Sequence, residues 1–418
     1  MEILETLNFI IAAVFFICYA YQFFYIPAAL IKKDEPHKEE KKHRFAVLVC
    51  ARNEEAVIAG LINSIHRQTY DRNLIRIFVM ADNCTDNTAS AARNAGATVY
   101  KRNNPNLVGK GYALEALLKN IERDYPRNYF DGFFVFDADN VLDKNYIAEM
   151  NRTFSDGNDI ITSYRDSKNY GDNWISAGYA LWFLRESRYL NHARMLLGTS
   201  CAVSGTGFFF SRRILEKNGG WNFHLLTEDI EFTVHNIVNG EKVAFCPKAV
   251  LYDEQPTSFR QSWRQRLRWA KGYLQVYGKY GKDLAKGIAR GDFSCFDMAM
   301  AIMPAAVLTA VSVVINSCVA AVTLAGGGNV TPILISLGES VLNVYLTLLL
   351  LGGITTVTEW KMIHTSAVKK VFYIFTFPLF MLTYIPISFA AIFAKVEWKP
   401  ISHSVNVSLA EYCSRESA

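Results

Sequence analysis

The eight cysteines of this chain, at positions 18, 50, 84, 201, 246, 295, 318 and 413, show no paired spacing. That excludes a zinc site built on cysteine pairs and a disulfide framework, and makes reduced thiols the expectation. A strong basic excess is also missing, since 44 Lys and Arg against 39 Asp and Glu leave a net charge of only +5. A balance of that size suits contact with anionic lipid and phosphorylated substrates, and gives no indication of nucleic acid. Charge itself is absent from four long stretches, 8–31, 298–325, 340–358 and 371–394. Each reaches the roughly 17–25 residues needed to cross a bilayer. The first has no small-residue cleavage site and is too long for a signal-peptide core, so it reads as a retained anchor.

Orientation follows from Lys32, Lys33, Lys38, Lys41, Lys42 and Arg44, which crowd the end of the first stretch. Lys and Arg mark the cytoplasmic side, so the segment between the first and second apolar stretches is expected there. The whole reads as a multi-pass protein of the plasma (inner) membrane. Within that segment short apolar strands alternate with helical patterns. "FAVLVC" (45–50), "IRIFVM" (75–80), "TVYK" and "GFFVF" (132–136) are strands. A helix after the first carries Val57, Ile58, Leu61, Ile62 and Ile65 on one face, and Asp86 is placed to cap the next, over 87–95. Alternation of this kind predicts an α/β domain with a parallel, Rossmann-like sheet covered on both faces.

Polar clusters stand at three successive strand ends: Asn53-Glu54-Glu55, Asp82-Asn83 and Asp137-Ala138-Asp139. Open α/β sheets place ligands at that edge, which points to a nucleotide site. Residues two apart in a strand share a face, so Asp137 and Asp139 are expected to converge. Further on, "CAVSGTGFFF" reads as a strand broken by Gly205 and Gly207, suggesting a bulge or a close backbone approach to a ligand. "LLTEDIEFTVHNIVNG" reads as a helix with Thr227 as N-cap, and Glu228 and Asp229 fall in its first turn. Positions 260–290 carry nine Lys and Arg against one acid, interleaved with Trp263, Trp269 and Tyr273. They read as an amphipathic helix on the membrane surface.

Taken in order, "ARNEE", "ADNCTDN", "GKG", "DAD", "TED" and "QRLRW" (265–269) resemble the motif series of the processive family 2 glycosyltransferases, the group of cellulose, hyaluronan, chitin and poly-N-acetylglucosamine synthases. The resemblance covers about 45–275 motif by motif, and the flanking spans in architecture only. It implies a GT-A fold inserted between transmembrane helices, a UDP-sugar donor, Mg²⁺ or Mn²⁺, and inversion at the anomeric carbon. By this analogy Asp139 holds the metal. Asn53, Glu54, Asp82, Lys110, Asp137, Gln265, Arg268 and Trp269 surround the donor nucleotide. Asp229 is the base, and Gly205, Thr206, Gly207 and Trp269 meet the acceptor. The domains expected are an anchor helix (1–32), a GT-A domain (44–255), interfacial helices (256–295), a membrane region (296–396) and a tail (397–418).

Two places depart from the family pattern. "ADN" stands where many relatives have two aspartates and a glycine, and "VEWKPISHS" where hyaluronan and chitin synthases have Trp-Gly-Thr-Arg. Three full C-terminal spans would put Trp398 outside the cell. Pro378 and Pro386 instead suggest a re-entrant hairpin that brings it back to the nucleotide. The function expected is polymerisation of a sugar and passage of the chain through the spans. The rival is addition of one sugar to a lipid, because ceramide glucosyltransferases have a similar Gln-x-x-Arg-Trp ending. A scaffold with a decayed transferase fold is disfavoured by the joint presence of Asp137, Asp139, Asp229 and Trp269.

Overall fold

The computed structural model describes residues 2–33, 37–302, 304–327 and 329–397. Eight strands form one sheet: β1 (Phe45–Ala51), β2 (Ile75–Asp82), β3 (Thr98–Arg102), β4 (Gly132–Phe136), β5 (Val141–Leu142), β6 (Ile160–Ser167), β7 (Phe208–Ser211) and β8 (Val243–Asp253). Their order is β3-β2-β1-β4-β7-β6-β8-β5. The half from β3 to β4 is parallel, as expected, and every residue of β4 is buried. Such a strand has to be apolar throughout because helices cover both its faces. Helix Lys110–Asp124 supplies part of that cover through Leu114, Leu117, Leu118 and Ile121, a one-face repeat of three and four residues.

The other half corrects the expectation of a parallel sheet. β7 runs antiparallel to both β4 and β6, and β5 antiparallel to β8. The chain reaches β7 from helices Trp174–Arg185 and His192–Leu197 rather than through a simple crossover, so nothing imposes the parallel sense. Of "CAVSGTGFFF" only the last three residues are strand, continued by Ser211. Gly205 and Gly207, with φ of 75° and 65°, turn the preceding residues into a loop, a backbone region that side chains disfavour.

Among the described residues three helices are long and apolar enough to cross a membrane: Phe9–Ile31, Ile333–Thr358 and Ala367–Phe393. The first is tied to the domain by a buried cluster. Asp297 accepts hydrogen bonds from Tyr21 (2.6 Å), Tyr25 (2.7 Å) and both Nε (2.7 Å) and Nη2 (2.9 Å) of Arg194. Removing one partner of a buried ion pair leaves the other charge without compensation. Asp297→Ala is therefore expected to destabilise the fold by about 3–5 kcal/mol, read as a lowered unfolding midpoint in detergent.

The last apolar segment departs from the expected hairpin. Helices Ala367–Leu382 and Tyr384–Phe393 are joined by Thr383 in helical backbone, so the chain does not reverse at the prolines. The break is stabilised from the domain, because Arg266 Nη1 donates to the Phe380 carbonyl (3.1 Å) and to Thr383 Oγ1 (2.6 Å). Lys369 donates to the Gly171 carbonyl at one end and Lys271 to that of Ala391 at the other. The segment thus lies against the domain along its length. Trp398 and Cys413 lie outside the described residues.

Candidate active site

The parallel strands bring their polar ends to one edge. At β1, Asn53 has φ of 59° and its Oδ1 accepts from Thr85 N–H at 2.8 Å, while Glu54 N–H donates to Thr88 Oγ1. Asn53 therefore joins two strand-end loops, and its Nδ2 is the group left for a nucleotide. Asp86 accepts from Thr88 N–H at 3.0 Å, but the helix begins at Thr88 and its N-cap position is Asn87, whose side chain makes no capping bond, so the expected cap falls one residue early. At β2, buried Asp82 pairs with Arg102 at 2.5 Å. Asn83, like Asn53, holds a positive φ (52°), so the two loops that would meet a nucleotide share one unusual backbone state.

Asp137 and Asp139 do not converge. β4 ends at Phe136 and the next residues form a turn closed by Asn140 N–H to the Asp137 carbonyl at 3.2 Å, so strand alternation no longer governs them. Asp137 points to Lys110, 2.5 Å away. Asp139 is buried and its Oδ2 accepts from Glu254 N–H at 2.8 Å, at the end of β8. Buried Asp253 lies there too, bonded by Arg165 and Gln255. Burial raises the Asp253 pKa, Arg165 opposes the rise, and the Asp139 charge adds to it. A divalent cation would relieve that repulsion. No cluster of three or more His, Cys, Asp or Glu ligands occurs among the described residues. Mg²⁺ typically takes one or two carboxylates and fills its shell with phosphate oxygens and water. The residues fit such an ion, with Asp139 as the protein ligand.

Lys110 opens helix Lys110–Asp124 and reaches two groups at once, Asp137 and the Gly205 carbonyl at 2.7 Å. Burial would lower its pKa, but Asp137 and Glu228 outweigh that and raise it, so it stays a cation. The same Gly205 donates its N–H to Asp229 Oδ2 at 2.6 Å. A methyl group at Gly205 would meet nothing closer than Asp229 Oδ2 at 3.9 Å and Arg165 Nη1 at 4.0 Å. One glycine therefore links the Lys110 cation to the acid pair and leaves open space beside its own Cα.

Glu228 and Asp229 start helix Glu228–Val238. Thr227 precedes it, yet its hydroxyl makes no capping bond and is buried without a partner. Burial and then the Asp229 charge push Glu228 up to about 7, against the pull of Lys110 and Arg268. Burial likewise raises Asp229. Two carboxylates this close titrate as a pair, and because burial raises both, the base form of Asp229 is lost at a pH above the ordinary carboxylate range. kcat/KM should therefore decline on the acid side with a midpoint above that of an ordinary carboxylate. Glu228→Gln removes the neighbouring charge and should move that midpoint to lower pH. A pH profile of both proteins checks the shift.

From helix Phe259–Ala289, Arg268 Nη1 donates to the Leu226 carbonyl just before the acid pair, at 2.8 Å. Gln265 Oε1 is buried with no hydrogen-bond partner. Trp269 packs edge-on to Tyr179 and Phe183, with centroids 5.8 and 6.3 Å apart. Thr206 and Gly207 are both engaged by the protein itself. Thr206 Oγ1 donates to Asn140 Oδ1 and accepts from Asp137 N–H, so it braces the turn. A methyl group at Gly207 would lie 1.8 Å from Leu251 Cδ2, so that glycine serves core packing. Residues the sequence did not single out are Arg165, Asp253, Glu186 and Arg266. Asp253 alone had a readable signal, an acid at a strand end.

A nucleotide-type sheet edge with a cation between two acid groups, beside helices long and apolar enough to cross a membrane, is the GT-A arrangement of sugar-nucleotide transferases. Residues 43–272 match the family model described as glycosyltransferase like family 2, and the chain belongs to that family. Among curated proteins it is 26% identical over 259 residues to the probable glycosyltransferase YdaM of Bacillus subtilis, covering 57% of each chain. It is 26% identical to a beta-monoglucosyldiacylglycerol synthase of Synechocystis (56% of this chain, 48% of that protein). To a poly-beta-1,6-N-acetyl-D-glucosamine synthase of Staphylococcus aureus it is 22% identical (59% and 58%). The chain spans about half the length of the curated relatives it matches. In fold it is similar to the mannosyltransferase PcManGT of Pyrobaculum calidifontis in complex with GDP-Man and Mn²⁺, with a TM-score of 0.60 and 16% identity over 93% of this chain and 99% of that one.

Proposed function

We propose that this chain is a membrane-bound, inverting transferase that moves a sugar from a UDP-sugar to a hydroxyl acceptor and, by repetition, builds a polysaccharide that passes through its apolar helices. The observation that carries the reading is the acid pair at Glu228–Asp229, set across Gly205 from Lys110. In the reaction the acceptor oxygen attacks the anomeric carbon, the carbon–oxygen bond to the diphosphate breaks, and UDP leaves with the bonding electrons. The acceptor hydroxyl gives its proton to Asp229, a carboxylate whose raised pKa suits a base near neutral pH. Attack from the face opposite the diphosphate inverts the anomeric carbon. Asp139 would hold a divalent cation, which when bound would supply Lewis-acid stabilisation of the departing diphosphate. Lys110 and Arg268 add fixed positive charge on the same side, Asp82 and Asn53 border the uridine, and Gln265 offers its unpartnered oxygen.

A second reading, one sugar added to a lipid, is favoured by the glucosyldiacylglycerol synthase relative, whose identity of 26% exceeds the 22% of the polysaccharide synthase. Product size separates the two. Purified protein in liposomes containing diacylglycerol is incubated with a panel of UDP-sugars and Mg²⁺ or Mn²⁺. A polymer made from one donor supports the first reading, and a single sugar on lipid replaces it with the second. UDP release from none of the donors contradicts both.

A further inference from the structure

Several polar groups near Asp229 have no part in the chemistry above. Glu186 begins a π-helical turn, Glu186–Asn191, between helices Trp174–Arg185 and His192–Leu197. Single turns of this kind are enriched at functional positions. Its Oε2 accepts from Ser204 Oγ at 3.1 Å, and Ser204 immediately precedes the glycine bonded to Asp229. Oε1 makes no hydrogen bond among the described residues and is not sealed from solvent. Next to it Arg185 donates to Gln22 Oε1, on the first apolar helix, at 3.1 Å.

Two phenols lie close to the same carboxylate. Tyr273, from helix Phe259–Ala289, lies within charge-interaction range of both Glu186 and Asp229, and Tyr384, from helix Tyr384–Phe393, within range of Glu186 and Tyr273. Neither hydroxyl has a hydrogen-bond partner among the described residues, and neither is sealed from solvent. The carboxylate oxygen and the two phenols, none of them spent on a partner among the described residues, can together accept from and donate to a ligand rich in hydroxyls beside Asp229.

We propose that Glu186, with Tyr273 and Tyr384, binds the hydroxyl-bearing end of an acceptor that arrives from the membrane, holding it for deprotonation by Asp229. The proposal rests on the reading of Asp229 as the base of glycosyl transfer. Glu186 accepts hydrogen bonds from hydroxyls next to the reacting one, and the phenols donate to their oxygens. The chemistry is the same for a glycerol or sugar headgroup of a lipid and for the end of a growing chain.

Steady-state rates of the full chain in liposomes test it, with donor and acceptor varied separately. One arm presents diacylglycerol in the bilayer and the other a soluble oligosaccharide. A charge-assisted hydrogen bond of ordinary strength corresponds to a change on the order of ten- to a hundred-fold. Glu186→Gln is expected to raise the acceptor KM by that factor while the donor KM and the affinity for UDP stay within about two-fold. The arm in which the rise occurs assigns the source, lipid headgroup or chain end. An unchanged acceptor KM, or donor and acceptor KM rising together, overturns the proposal. So does a loss of kcat alone, which would mark Glu186 as a base. Should Glu186→Gln fail to bind UDP, Tyr273→Phe decides, and an unchanged acceptor KM there overturns it equally. Absence of turnover in the wild type would overturn the transferase reading itself, a separate outcome.

Discussion

Asp229→Asn is expected to lower turnover by roughly 10²–10⁴-fold, the range for losing general acid–base help, while UDP binding persists. The amide keeps an oxygen that can accept from Gly205 N–H, so the 2.6 Å bond that positions this residue survives in kind. It cannot take a proton from an attacking hydroxyl at neutral pH. Fold and donor site should therefore be retained and only the proton acceptor lost. Near-normal turnover would remove Asp229 from the mechanism. Loss of UDP binding together with turnover would assign it to the donor site.

Asp139→Ala should have an effect of a different kind, abolishing the cation-dependent part of UDP binding. Asp139 is buried with one oxygen on Glu254 N–H, so it is rigidly placed and a substitute has no freedom to reach the same point. Excess chelator should abolish wild-type turnover, and Mg²⁺ or Mn²⁺ should restore it. In the variant neither ion should restore it, because neighbouring Asp253 is engaged by Arg165 and Gln255. Calorimetric titration of UDP with and without Mn²⁺ reads the difference directly. Full activity in excess chelator would return Asp137 and Asp139 to a purely structural turn.

The parallel half of the domain was legible because β1, β2 and β4 are buried runs bounded by turns, and their polar ends must meet once the strands are parallel. Where Asp137 and Asp139 point was not legible. Alternation holds only inside a strand, and β4 stops one residue short of Asp137. Gly205 and Gly207 looked alike in the sequence. One faces open space beside Asp229 and the other is pressed on Leu251, a distinction that depends on β8, more than forty residues on. Glu186 carried no local signal, since Ser204, Tyr273 and Tyr384 come from three other elements. The last apolar stretch was legible as long and uncharged, but its course depends on Arg266, which the Gln-x-x-Arg-Trp pattern passes over in favour of Arg268.

The most direct measurement of the central claim is an experimental structure of the protein with UDP and Mn²⁺ bound. The account expects the diphosphate between Lys110 and Arg268, the ion on Asp139, the uridine at the edge formed by Asp82 and Asn53, and Asp229 facing the space beside Gly205. A nucleotide bound away from that edge, or an ion not in contact with Asp139, would contradict it.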